Sequence, residues 1–237
     1  MSSWSYYISR HDALGGSKRE RSLNRLQDTI SRKGIDSLSN QKVLINDTPQ
    51  LLTVLNNKDD MHSKTICAMP NCILPHGGIV DFNDCKWLIV DVDSNNEVYT
   101  KGRMRRCNHL LKWINSDGDT IERWCVVEDG TKYLIGEKEK EMMTVGDSRM
   151  GLTIAKDSET AKLCRGMRFL IDDVDSAVPQ AYQITKPNKL YSLYNGEGVY
   201  RFILREDNVT DNDNIELRIA DYYKKKSNIS TNKEGWL

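Results

Sequence analysis

The sequence predicts a mainly β protein: two small antiparallel β-barrel or β-sandwich domains behind an N-terminal amphipathic helix arm. Three observations predict it. Short runs rich in valine, isoleucine and aromatic residues alternate with Asn/Asp/Gly turns over residues 41–206, a pattern of small barrels and sandwiches rather than of βαβ units. Helical periodicity is confined to the first forty residues. The chain has 237 residues, enough for two modest cores without metals or disulfides to hold them.

Residues 1–40 form the arm. Ser17 opens a Ser-Lys-Arg-Glu capping box with Glu20, and Leu23, Leu26 and Ile30 then recur at helical spacing. Gly34 after Lys33 reads as a stop, so a helix is expected over residues 18–33. Its apolar stripe is too thin to be the centre of a core. Residues 1–35 carry seven basic groups against three acidic ones. The helix therefore has two readings. It is a solvated helix lying across the edge of its own domain, or an assembly arm that docks on a neighbour through Arg19, Arg21, Leu23, Arg25, Leu26 and Ile30.

Residues 41–118 read as the first β domain. Val43 and Ile45 alternate with polar residues, Asp47-Thr48-Pro49 turns, and residues 51–55 resume. Pro70, Pro75 and Gly77-Gly78 punctuate a loop. Strands follow at residues 79–82 and 86–92, then 97–101 after the turn Ser94-Asn95-Asn96, then a long segment over 103–115. The turn Ser116-Asp117-Gly118-Asp119 sets a boundary near Gly118. Residues 119–206 read as a second sandwich, with strands at 121–127, 131–135, 150–154, 168–171, 181–185 and 199–204 and a helical turn at 158–163. Trp87, Ile89, Leu111, Trp113 and Trp124 are expected in the cores. Residues 207–237, rich in Asp and Asn and then Lys224-Lys225-Lys226, read as a poorly packed polar tail.

Lysine plus arginine number 34 and aspartate plus glutamate 34, a balance that argues against a surface built wholly for nucleic acid. No apolar run reaches the roughly 18 residues needed to span a bilayer, and the first residues lack the basic start and apolar core of a secretory leader, so a cytosolic protein with no membrane partner is expected. The six cysteines are then expected to be reduced. Cys67, Cys72 and His76, with Cys85, have zinc-like spacing, and they define an alternative of another class, a cysteine- or zinc-dependent enzyme. Against it stand the lack of a second clean pair and of any nucleophile elbow, zincin motif or phosphate loop. Asp91, Asp93, Asn95 and Glu97 echo a calcium loop, but Gly102 sits where its late glutamate belongs. No metal, cofactor or catalytic residue is expected.

The most distinctive segment is KGRMRRCNHLLKW, residues 101–113. It holds Lys101, Arg103, Arg105, Arg106 and Lys112 and no acidic residue. Three readings compete: a solvated strand with Trp113 buried, a surface that meets an acidic protein, and a face toward DNA phosphates. Acidic stretches at Asp172, Asp173 and Asp175, and from Glu206 to Glu216, would suit a ring in which one copy's basic face abuts the next copy's acidic one.

The run from Gly102 to Trp113, followed by Asn115-Ser116-Asp117-Gly118 and by Glu122-Arg123-Trp124-Cys125-Val126-Val127-Glu128-Asp129-Gly130-Thr131-Lys132-Tyr133-Leu134, resembles virion structural proteins of tailed bacteriophages of Gram-positive hosts. Gly146-Asp147-Ser148-Arg149 and Thr185-Lys186-Pro187 carry the same resemblance. Gly77-Gly78-Ile79-Val80-Asp81-Phe82 leading to Trp87-Leu88-Ile89-Val90 is similar to the small barrels of head-closure proteins. The resemblance spans residues 75–205. It implies a neck or head–tail connector (head-closure or adaptor) protein, a homo-oligomeric ring of six or twelve copies between a portal or adaptor and the tail proteins, with DNA passing through. It implies a place in the virion after assembly in the host cytoplasm; a tail-terminal or baseplate protein is the alternative within the class. A second β domain and a basic arm depart from the head-closure pattern.

Overall fold

The computed structural model describes residues 3–13, 15–58, 60–70, 72–93, 96–129, 149–171, 179–190 and 192–225. It is mainly β, with two barrel-like antiparallel sheets behind short N-terminal helices. Helix α1 (Ser3–Ala13) was not expected from the sequence, because the helical spacing of Trp4, Tyr7 and Ile8 lasts a single turn before the polar run Ser9–Asp12. Helix α2 (Lys18–Ile35) starts where the capping box places it. The Glu20 N–H donates to the Ser17 hydroxyl at 3.1 Å, and the Ser17 N–H donates to the Glu20 carboxylate at 3.1 Å. The helix continues through Gly34 to Ile35 and is capped by Asp36. Gly34 serves a close approach rather than a stop, since a Cβ there would lie 2.8 Å from Met69 Cε.

Strands β1 (Asn40–Ile45), β2 (Thr48–Asn56), β3 (Ser63–Ala68), β4 (Ile79–Phe82), β5 (Cys85–Asp93) and β6 (Lys101–Arg106) close a barrel in the order β1-β2-β3-β6-β5-β4. Two tight hairpins shape one end of it. Asn46-Asp47 and Asn83-Asp84 all have positive φ, between 46° and 64°, a conformation that Asn and Asp tolerate and that matches strand twist. The barrel is filled by Val43, Ile45, Leu52, Ile66, Val80, Trp87, Ile89 and Met104. β3 was missed in the sequence because only Ile66 and Ala68 mark its inner face between polar neighbours.

β5 explains the unbroken apolar run of KWLIVDV. Trp87 and Ile89 point into the barrel, whereas Leu88 and Val90 point out against Cys107 and against Val126 and Val199 of the second sheet. A strand buried on both faces reads as a continuous run rather than an alternation.

The second sheet comprises β7 (His109–Ile114), β8 (Thr120–Asp129), β9 (Arg149–Ala155), β10 (Arg168–Ile171), β11 (Gln180–Asn188), β12 (Leu193–Tyr194) and β13 (Glu197–Asp207). Its order is β10-β11-β13-β9-β8-β7, with β12 paired to β13. The sheet curls until its two ends meet: Trp113 on β7 packs edge-on against Phe169 on β10, with ring centroids 6.3 Å apart. A 3₁₀ turn at Thr160–Lys162 falls within the helical turn expected at 158–163.

Five expectations are corrected. The two sheets divide at Cys107-Asn108 and not near Gly118, because β7 pairs with β8 around the Asn115–Asp119 turn. The Cys107 N–H still donates to the Lys86 carbonyl of the barrel, while the Asn108 N–H donates to the Cys125 carbonyl of the second sheet. The expected strand over 103–115 is therefore two strands in different sheets, and the expected strand over 97–101 is a bend that precedes β6. Trp124 is 37% exposed and belongs to no core, while Trp87, Ile89, Leu111 and Trp113 are buried as expected. The segment after Asp207 is packed through residue 225, with Ile219 and Ala220 buried. The strand at 131–135, the turn at Gly130, Gly146-Asp147-Ser148, the acidic residues 172–175 and the tail beyond residue 225 lie outside the described residues.

Candidate functional site

The basic segment does not form one face. Arg103 on β6 donates to the Asp91 carboxylate of β5, with Nε 3.0 Å from Oδ2. Arg105 pairs with Glu128 of β8 and so ties the barrel to the second sheet. Lys112, on β7, pairs with Glu122 of β8 at 2.7 Å. Lys101 and Arg106 are exposed, lie at opposite ends of β6, and make no ion pair among the described residues. Three of the five cations are thus neutralised within the chain, and the exposed Arg103–Asp91 pair is worth at most about 1 kcal/mol. The acidic run is also partly used internally, since Asp207 and Asp213 bind Arg168.

Arg168 is the centre of that cluster. Its side chain is 9% exposed and donates to Asp207 at 2.7 Å, to Asp213 at 3.0 Å and to Asp221 at 3.1 Å. The Asp213 side chain is wholly buried and also accepts the N–H groups of Thr210 at 2.8 Å and Asp221 at 2.7 Å. Burial alone would raise its carboxyl, but Arg168 and the two backbone donors hold it below the ordinary carboxylate value. Lys225, half-buried, donates to the Ile114 carbonyl at 3.2 Å, and burial lowers its ammonium. This cluster fastens the C-terminal segment to the sheet.

The thiols and His76 are not gathered into a centre. His76 is buried at the junction of the two sheets, its Nε2 2.8 Å from the Val90 carbonyl and its ring stacked on Tyr194 at 5.6 Å. Burial raises the Cys67 thiol, with Lys101 opposing, and pushes Cys107 up to about 12, with Lys86 opposing. Burial raises Cys125 too. A thiol held in the neutral form is a poor nucleophile. Among the described residues no group of three His, Cys, Asp or Glu side chains is placed to hold a metal.

Two surface features remain, and both escaped the sequence reading. The first is a groove of about 710 Å³ beside the two positive-φ hairpins. Leu44, Pro49 and Phe82 of the barrel and Trp124 of β8 supply its apolar wall. Its charged rim holds Lys42, Lys86, Arg106, Asp81 and Asp84. Lys86 pairs with Asp81 at 2.6 Å, whereas Lys42 and Arg106 have no ion pair among the described residues. Trp124 faces this groove from β8, where it pairs with half-buried Leu110 of β7.

The second feature is α1. Trp4, Tyr6, Tyr7 and Ile8 are 66%, 67%, 59% and 43% exposed, and Trp4 stacks on Tyr7 at 5.6 Å. Contiguous exposed aromatics of this kind mark a contact surface. α2 buries no residue. It rests on the barrel through Arg19 to Glu97 at 2.6 Å, Gln27 to the Glu97 carbonyl at 2.8 Å and Asn40 to the Gly34 carbonyl at 2.8 Å. Leu23 and Ile30 are half-buried beneath it and Leu26 is 53% exposed; Arg21 is half-buried and Arg25 exposed. Of the two readings of this helix, the structure places it across its own barrel, lightly held.

Residues 14–106 match the family described as the YomX N-terminal domain. The family takes its name from a Bacillus phage-type protein. The match covers less than half of the chain and ends at Arg106, the last residue of the barrel. No curated protein matches the chain. A solved structure described as MrkH, a c-di-GMP-dependent transcription regulatory factor, is similar at 9% identity over 91% of this chain and 92% of its own, with a TM-score of 0.23, too low to carry an argument. No helix among the described residues is long and apolar enough to cross a membrane.

Proposed function

We propose that this protein is a structural component of a tailed-phage particle, a head–tail connector of the head-closure or adaptor kind that works by assembly. The observation that carries the reading is the N-terminal arm. An 11-residue helix that leaves Trp4, Tyr6, Tyr7 and Ile8 in water, followed by a helix that buries nothing, is poorly stabilised by its own chain. Such segments acquire their order on a partner. The phage-related match over α2 and the barrel supports the setting. In this reading six or twelve copies join as a ring, a portal or adaptor contacts one side and tail proteins the other. Lys101 is the cation of the basic segment left to meet DNA phosphates or an acidic neighbour.

The test is removal of the reading frame from the phage, followed by electron microscopy of the lysate and mass spectrometry of purified wild-type particles. The reading expects the chain in wild-type particles, and DNA-free or leaking heads without tails in its absence. Normal tailed particles lacking the chain would refute it. Heads joined to malformed tails would move the protein to the tail terminus or baseplate and refute the connector assignment.

A further inference from the structure

The groove and the N-terminus of α2, to which α1 is joined, lie at opposite ends of the barrel. The groove is at the Cys85–Arg106 end of the β5–β6 pair, where Arg106 faces Trp87. The N-terminus of α2, from which α1 departs, is held by Glu97, just beyond the Asp93–Lys101 end of the same pair. Eight residue steps of β5 separate the two ends, roughly 26 Å at the rise of a strand. The two surfaces are chemically matched. The stretch Trp4-Ser5-Tyr6-Tyr7-Ile8-Ser9 carries no charge, and the groove wall is apolar. The rim cations without ion pairs among the described residues, Lys42 and Arg106, are of the kind that binds to the faces of aromatic rings, and α1 presents two stacked rings. Between α1 and α2, Gly15 has φ of +125°, a joint that other residues rarely adopt.

We infer that α1 of one copy inserts into the groove of a second copy, with Trp4 and Tyr7 against Trp124 and Phe82 beneath Lys42 and Arg106. Two different, complementary surfaces on one molecule make a head-to-tail contact, which repeats as a closed ring or an open filament according to the rotation between copies. The inference names the partner surface for the assembly proposed above and rests on that reading for its biological setting, although its chemistry stands without it.

The experiment uses full-length chains. A Ser5→Cys, Cys85→Ser chain is mixed with wild-type chain, treated with a short bis-maleimide and mapped by peptide mass spectrometry. A link from position 5 of the variant to Cys85 of the wild-type chain can form only between copies, and it is the expected product. Absence of that link, or links only between two position-5 thiols, overturns the inference. Self-association is followed in parallel by mass photometry. Trp4→Ala with Tyr7→Ala, and separately Trp124→Ala, are each expected to weaken it at least tenfold, with circular dichroism unchanged. A wild-type chain that stays monomeric at all concentrations overturns the inference, as does wild-type-like association of either variant. Particle analysis separates the two claims. A chain present in particles without the 5–85 link leaves the virion reading standing and this contact refuted; the link without the chain in particles does the reverse.

Discussion

The two ends of the described chain have opposite fates. The N-terminal segment is aromatic and periodic, reads as foldable, and buries no side chain of α2. The C-terminal segment from Asn208 to Lys225 is polar, reads as unstructured, and holds the wholly buried Asp213 carboxylate beneath Arg168. The difference lies in partners rather than in composition. Arg168 is 9% exposed and satisfies three carboxylates at once, so the charges of the C-terminal segment are consumed where they lie. The aromatics of α1 stay largely exposed to water, and an 11-residue helix has too little intrinsic stability to stand alone.

The largest test of this contrast is Arg168→Met. It leaves Asp213 buried without its cation and is expected to cost about 3–5 kcal/mol, with a fall of roughly 10 °C in melting temperature. Adding Asp213→Asn should recover part of that loss. Additive effects in the double variant would show that the pair is not coupled. A second test concerns the junction of the two sheets. Gly198 has φ of +144°, and a Cβ there would strike the Ser192 carbonyl. Gly198→Ala is therefore expected to cost about 2 kcal/mol in urea denaturation. Acid provides a third. The Asp213 carboxyl is held below its unfolded value, so its contribution is complete above the unfolded value near pH 4 and is lost as pH falls through the lower folded one. The urea midpoint should therefore fall between pH 5 and pH 3, and fall less in Arg168→Met. The smallest effect is expected at the other end: Trp4→Ala with Tyr7→Ala should leave monomer stability within about 0.5 kcal/mol of wild type.

Much of the fold could be read from residue pattern. The capping box at Ser17 and Glu20 located α2, and the alternation and hairpin turns located most strands. The failures have physical causes. β6 and β7 read as one strand because the switch of sheets occupies only Cys107-Asn108, where the Asn108 side chain bonds the Val127 backbone in place of a strand. The tail read as loose because a sequence does not show that one arginine collects Asp207, Asp213 and Asp221. The basic segment read as a single charged face because its counterions, Asp91, Glu122 and Glu128, arrive from neighbouring strands. The groove was invisible for a related reason: it is assembled from two turns of the barrel and one tryptophan of the other sheet.

Hydrogen–deuterium exchange on the monomer and on the self-associated protein tests the central contrast most directly. The amides of α1 should exchange freely in the monomer and become protected on association, while residues 208–225 should be protected equally in both. An α1 already protected in the monomer, or no change in it on association, would contradict the account.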